Sequence, residues 1–193
     1  RRLVNTSSGR TGWALADDLY RHGHDVTCIA GLTTVPQPAW LPLIIRAETA
    51  PDMLAECMAV ARDRLDAWVH VAAVLDYLIS EPAEGKVASG SDALQIDLTP
   101  GPKHIDALRD LCEGAVRIGF KLETGIKQRE LVRRAVAQVE RAGMTAVIAN
   151  RLEDLGHADR PRGHLVDATG ADFALHTERD LVEAIRRLIE RGS

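Results

Sequence analysis

The sequence predicts an α/β fold in which a mainly parallel sheet is doubly wound, with helices on both faces and a small hairpin near the C-terminus. Short β-branched and aliphatic runs alternate with amphipathic stretches at helical spacing. Helix start and stop residues stand at the boundaries between them. Segments of small or polar residues follow the aliphatic runs, at what would be the carboxyl ends of strands, where open α/β sheets bind ligands. Strands separated by about ten or more helical residues need crossover connections, which are right-handed and leave the strands parallel. The expected architecture is therefore Rossmann-like and three-layered.

In chain order, a small-residue loop over 5–12 leads into an amphipathic helix over 11–22, with Gly23 placed to close it. Strands are predicted at 25–30 and 43–47, then a helix over 51–64. Thr49 supplies that helix with an N-cap hydroxyl, Pro51 a first-turn proline and Asp52 a carboxylate at the positive end of the dipole. A strand over 68–74 is followed by a long connection, 78–90, with Pro82, Gly85, Lys86 and Gly90. An unstructured connection of more than about 12 residues is uncommon unless it is a lid or disordered. A helix over 105–112 and a strand over 115–120 come next. In the helix over 127–141, Leu131, Val132, Ala135, Val136 and Val139 form one stripe and Gly143 stands just past its end. A strand over 145–149, a polar stretch over 151–163, a hairpin of 164–168 and 171–176 joined by Thr169-Gly170, and a closing helix over 177–191 complete the order. Residues 2–4 are too few for the strand that should precede the opening loop, so that strand is expected to be absent from this chain.

A chain of 193 residues suits one domain, here read as a single nucleotide-binding domain over 1–193. Apolar residues reach 46% but aromatic ones only 4%, so aliphatic side chains must fill the core. No run approaches the roughly 18 to 20 apolar residues of a membrane helix, and no charged-then-apolar leader opens the chain. A soluble, cytoplasmic protein with no membrane partner is expected. The formal charge of -4 argues against a nucleic-acid partner. Cys28, Cys57 and Cys112 are odd in number and far apart, which reads as structural thiols rather than a disulfide or metal framework.

Four constellations could carry chemistry. Asn5, Thr6, Ser7, Ser8, Gly9, Arg10, Thr11 and Gly12 lead into a helix, where small residues, hydroxyls and free N–H groups can cradle a phosphate. The bare pattern fits an N-cap with a tight turn equally well, and it is neither a Walker A loop nor a full GxGxxG. Ala72 and Ala73 leave room for a ring or ribose at a strand end, with Asp76 just beyond to accept hydrogen bonds; a packed strand ended by a solvated Asp is the plain alternative. Phe120, between Gly119 and Lys121, can stack on a base or fill core, and Lys121 and Glu123 can form an ion pair. Ala149 and Asn150 form the fourth strand tip.

Taken together these segments resemble the phosphopantothenate-cysteine ligases, the family that joins 4'-phosphopantothenate to cysteine in coenzyme A biosynthesis. The likeness rests on Arg1, Asn5, Ser7, Ser8, Gly9 and Gly12; on Ala72, Ala73, Val74, Asp76 and Tyr77; on Lys86; on Gly119, Phe120, Glu123 and Thr124; and on Ala149 and Asn150. It is specific over 1–150 and thinner beyond. The chain lacks the family's G-G-T-x-E-x-I-D stretch before Arg1, lacks further lysines after Lys86, and has Arg141 but no Lys in the helix before Asn150.

The resemblance implies a two-step ligation that consumes CTP or ATP with Mg2+ and passes through an acyl nucleotide. It implies Asn5 and Lys86 as catalytic residues, with Lys86 on a lid closing over the phosphates. Ser7, Ser8 and Gly9 would bind phosphate, Ala72, Ala73, Asp76 and Phe120 the nucleotide, and Arg1 and Asn5 the substrate, with no protein ligand assigned to the metal. A homodimer is implied too, with the lid and residues 94–98 at the interface. Three other readings are open to the sequence. A nicotinamide-dependent oxidoreductase would need a Tyr-xxx-Lys pair, but His24 follows Tyr20 and Glu81 follows Tyr77 at that spacing. A metal site at His22 and His24 has no further ligand nearby in sequence. A degenerate, non-catalytic ligase-like module fits the missing strand and lysine.

Overall fold

A computed structural model describes residues 5, 7–81, 85 and 95–192. The elements run α1 (Arg10–Arg21), β1 (Thr27–Ala30), β2 (Leu43–Arg46), α2 (Ala50–Val60), β3 (Ala67–His70), β4 (Tyr77–Ile79), β5 (Leu98–Pro100), α3 (His104–Ala107), β6 (Val116–Glu123), α4 (Gln128–Ala142), β7 (Ala146–Arg151), β8 (Gly163–Asp167), β9 (Asp172–Leu175) and α5 (Glu178–Gly192). The α/β class is as expected, with a parallel centre and helices on both faces. In the five-stranded sheet the order is β3-β6-β7-β8-β9; β3, β6 and β7 are parallel, and β8 and β9 form the predicted antiparallel hairpin.

Strand alternation sends successive side chains to opposite layers. Along β7, Val147 and Ala149 meet Leu131, Ala135 and Val139 of α4, whereas Ile148 meets the layer built from Leu15 and Leu19 of α1 and Leu181, Ile185 and Ile189 of α5. Both faces are covered, so the strand has no polar side; this is why 145–149 reads as an unbroken apolar run. Each such buried aliphatic side chain contributes about 1.5–3 kcal/mol.

The helix boundaries follow local chemistry. Thr49 Oγ1 accepts from Asp52 N at 3.2 Å at the start of α2. Gly143 ends α4 at φ 62°, and Gly23, at φ 88°, lies just past α1. Cys57 and Cys112 are buried and Cys28 is half-buried, all as free thiols; burial raises the Cys57 thiol to about 11.

Several expectations are corrected. The fold class stands, with β1 and β2 pairing only with each other among the described residues, as a second parallel sheet. The run expected as a strand over 68–74 leaves the sheet after His70, because residues 71–74 turn, with Val74 N donating to Ala72 O at 3.2 Å. The connection expected over 78–90 begins inside a strand, since β4 pairs antiparallel with β5. The helix expected over 105–112 is one short turn at His104–Ala107 followed by turns such as Arg109 N to Asp106 O, 3.1 Å. Leu108 and Cys112 are both buried, so their i, i+4 spacing reflects burial rather than a continuous helix.

Near the start of β6, Arg117 is only 2% exposed. It donates to the carbonyls of Ala142 and Ile105, and its Nη2 donates to His70 Nε2 at 3.3 Å. Burial, with the charge of Arg117 and then His104 adding to it, pulls His70 from 6.5 to about 3. A ring that accepts from a guanidinium must be neutral. The unfolded chain protonates this histidine below about pH 6.5 and the folded protein does not, so stability falls as pH drops from about 6.5 towards 3. Urea unfolding should show up to about 1.4 kcal/mol lost per pH unit from this group across that window. His70→Asn should flatten that part of the profile, and an unchanged slope would remove His70 from the account.

Candidate nucleotide and acyl-phosphate site

Gly9 decides how the opening loop meets α1. It takes the N-cap position at φ 75°, and a Cβ there would lie 2.5 Å from Thr33 Cγ2 and 3.0 Å from Trp13 Nε1. Only glycine combines that left-handed backbone with so close an approach. The loop is held from outside as well: Val35 N donates to Ser8 O at 3.0 Å, and Trp13 Nε1 donates to Val35 O at 3.2 Å. Gly9 provides no side-chain cap for α1, while Ser8 Oγ accepts from Arg10 N at 3.3 Å. An ordinary N-cap would offer its own oxygen to N–H groups further along the first turn. Gly9 has none to offer, so the first-turn N–H groups of α1 receive no capping oxygen from it.

Asn5 joins this loop to the tip of β3. Its Nδ2 donates to Ala73 O at 3.2 Å and Val74 O at 3.1 Å, carbonyls that the chain frees by leaving the sheet. Around them lies an open cleft of about 1200 Å³, with Asn5, Ser7, Thr11, Asn150 and Arg162 among its polar groups. Its apolar part runs between β1 and β3 and reaches Leu19, Val26 and Ile189.

The structure brings most of the residues singled out from the sequence into one cleft. Asn5, Ser7, Ser8, Gly9, Ala72, Ala73, Phe120 and Asn150 all line it. Asp76 does not: it is exposed, and its carbonyl accepts from Gly101 N at 2.9 Å, tying the start of β4 to the end of β5. Arg1 and Lys86 lie outside the described residues. Lys121 pairs with Glu123 at 3.0 Å, and Glu123 also takes Arg134 at 2.7 Å. Arg141 pairs with Asp106 at the C-terminal end of α4, away from the strand tips. His22 bonds Asp18 O at 2.7 Å and His24 faces Glu190 at 3.8 Å. Among the described residues no cluster of three or more His, Cys, Asp or Glu could hold a metal.

Sequence reasoning missed Arg162, Glu178 and Thr33. In the polar stretch, Arg151 and Arg160 both bind the buried Asp154, at 2.6 and 3.3 Å, while Arg162 faces the cleft. Nothing in the linear pattern separates these arginines. Thr33 lies in an irregular segment and matters only through its contact with Gly9.

Comparison with known proteins adds the following. A family model described as the DNA/pantothenate metabolism flavoprotein C-terminal domain matches residues 1–191. The coenzyme A biosynthesis bifunctional protein CoaBC of Thermococcus kodakarensis is 35% identical over 99% of the chain and 47% of its own length. That of Methanocaldococcus jannaschii is 32% identical over 79% of the chain and 36% of its length. The chain thus spans about half the length of the curated relatives it matches, or less. The DNA/pantothenate metabolism flavoprotein from Streptococcus pneumoniae has the same fold, with a TM-score of 0.88 at 21% identity over 100% of this chain and 92% of that one. Cab2 mutant H337A, in complex with phosphopantothenate-cysteine, gives 0.72 at 18% identity over 100% and 80%.

Gly9→Ala should lower stability by about 2–3 kcal/mol, combining the left-handed penalty with the contact to Thr33. Adding Thr33→Ser, which removes Cγ2 and keeps the hydroxyl, should recover part of the loss. Denaturant unfolding of the single and double variants checks this; a neutral Gly9→Ala would mean that the turn is not held as described.

Proposed function

The chain belongs to the family of DNA/pantothenate metabolism flavoprotein C-terminal domains, and on that premise we propose that it is a phosphopantothenate-cysteine ligase domain acting in coenzyme A biosynthesis. The observation that carries the reading is the bridge from Asn5 to the carbonyls of Ala73 and Val74, which unites the Ser7-Ser8-Gly9 turn and the alanine strand tip in one cleft with Phe120. An oxidoreductase or a plain helix cap gives no reason for that union.

In the proposed reaction the carboxylate of 4'-phosphopantothenate attacks the α-phosphorus of CTP or ATP. A carboxyl O–P bond forms and the bond to pyrophosphate breaks. The cysteine amine then attacks the acyl carbon, expels the nucleoside monophosphate and loses a proton. The first step draws two anions together, so it depends on positioned donors. The turn over Ser7, Ser8 and Gly9, with the N-terminus of α1, supplies them. Ala72 and Ala73 leave space for the nucleotide and Phe120 offers it a ring. Asp76, outside the cleft wall, would reach a ribose only from its rim. Asn5 engages both carbonyls through Nδ2, which leaves Oδ1 to accept from an amide or hydroxyl of the acyl nucleotide. Lys86 is proposed to close over the phosphates, and Arg1 to contact substrate. Mg2+ fits this donor set as an ion carried by the triphosphate, since the described residues form no protein cage for it.

A homodimer in the cytoplasm completes the reading. Tyr77, Ile79, Ile96 and Leu98 are exposed on and beside the β4–β5 hairpin, an apolar surface suited to a second copy. Among the described residues no helix is long and apolar enough to cross a membrane.

Pyrophosphate release from phosphopantothenate, cysteine, Mg2+ and CTP or ATP tests the reaction; no release with either nucleotide and intact substrates leaves only a binding module. Lys86→Gln should slow acyl-nucleotide formation at least about 100-fold while leaving unfolding unchanged, as expected for loss of a charge used in the transition state. Sedimentation of Ile79→Glu with Leu98→Glu should show monomers where the parent chain is a dimer.

A further inference from the structure

Arg162 is held at the mouth of the cleft by contacts from three directions. Its carbonyl accepts from Asn150 Nδ2 at 3.1 Å, which fixes its backbone at the tip of β7. Its Nη2 donates to Thr11 Oγ1 at 2.8 Å and to Glu178 Oε1 at 3.2 Å, in the first turns of α1 and α5. Thr11 Oγ1 donates to that same Glu178 oxygen at 3.2 Å. The guanidinium is thereby locked against the first turn of α1, two positions beyond Gly9.

This clamp uses one nitrogen of the three. Nε is buried without a partner, and Nη1 makes no hydrogen bond among the described residues. An unpaired buried donor is costly, and the positive end of a helix is an unfavourable place for a cation unless an anion joins them. Glu178 is the carboxylate bonded to it, through a nitrogen that leaves the other two free. Arg151 and Arg160 pair with Asp154, and Lys121 and Arg134 with Glu123, and none of these four cations lines the cleft as Arg162 does. A ligand rich in oxygen acceptors would add partners for this guanidinium in the cleft that Ser7, Ser8 and Gly9 also line.

We propose that Arg162 is an anion-binding residue of this cleft, presenting Nη1 to phosphate oxygens, with Glu178 and Thr11 fixing the plane of its fork. Two phosphoryl groups share that chemistry: the triphosphate of the nucleotide and the phosphate of phosphopantothenate. Their assignment rests on the ligase reading above, whereas phosphate binding itself does not.

The test uses inorganic pyrophosphate and inorganic phosphate as probes, by calorimetry on the whole chain, alongside ligation kinetics. Arg162→Gln should weaken pyrophosphate at least tenfold, and Arg162→Lys should restore part of the binding. Glu178→Gln keeps an acceptor for Nη2 and removes the competing charge, so it should bind pyrophosphate as tightly as the parent or several-fold tighter. A merely structural role predicts the reverse for Glu178→Gln, with binding lost in step with thermal stability. In kinetics, a raised KM for nucleotide with that for phosphopantothenate unchanged assigns the triphosphate; the opposite split assigns the phosphopantothenate phosphate. Parent-like pyrophosphate binding and KM values in folded Arg162→Gln overturn the proposal, as does a parent chain that binds neither probe. Should Arg162→Gln not fold, Arg162→Lys and Glu178→Gln decide: weakened binding in Glu178→Gln, or no change in Arg162→Lys, overturns it. Arg162-dependent pyrophosphate binding in a chain that forms no product retains this site and removes the ligase reading.

Discussion

β7 has nowhere to face solvent. Val147, Ile148 and Ala149 are all fully buried, and their alternation requires an apolar layer on each side of the strand. α4 meets that need on one face and α1 with α5 on the other. With both faces of β7 sealed, a ligand meets that strand at its end, and the parallel order of β3, β6 and β7 puts their carboxyl ends on one side. The cleft, the helix N-terminus beside it and the polar tips at Asn150 and residues 71–74 are consequences of that sealing.

Charge is arranged in two ways around the sheet. Near the cleft, ion pairs gather cations around shared carboxylates: Lys121 and Arg134 on Glu123, Arg151 and Arg160 on Asp154. An exposed pair is worth about 0–1 kcal/mol, but Asp154 is buried, so Arg151 and Arg160 compensate a carboxylate withdrawn from water. The cation of Arg117 is instead buried among backbone carbonyls and a neutral histidine. It ties β6 to the start of α3, the end of α4 and the last residue of β3.

Much of the architecture was legible in the chain because its determinants are local. An apolar stripe with Gly143 after it marks α4; Thr49, Pro51 and Asp52 mark α2; the unbroken apolar run marks β7. The elements that read poorly, 71–74, 78–81 and 105–112, depend on partners distant in sequence: Asn5 for the first, β5 for the second, the core around Leu108 and Cys112 for the third. Periodicity reports burial, and burial does not specify whether helix or successive turns achieve it.

For the site, the sequence by itself determined which residue types could cradle a phosphate, because small residues before a helix have that capacity wherever they occur. Tertiary structure decided that Asn5, Ser7, Gly9, Ala73, Phe120 and Asn150 share one cleft and that Asp76 does not line it. It also separated three arginines that look alike in the chain, placing Arg151 and Arg160 on Asp154 and Arg162 at the cleft. A guanidinium's role depends on which carboxylates reach it first, and that is a matter of distance in the folded chain rather than of spacing along it.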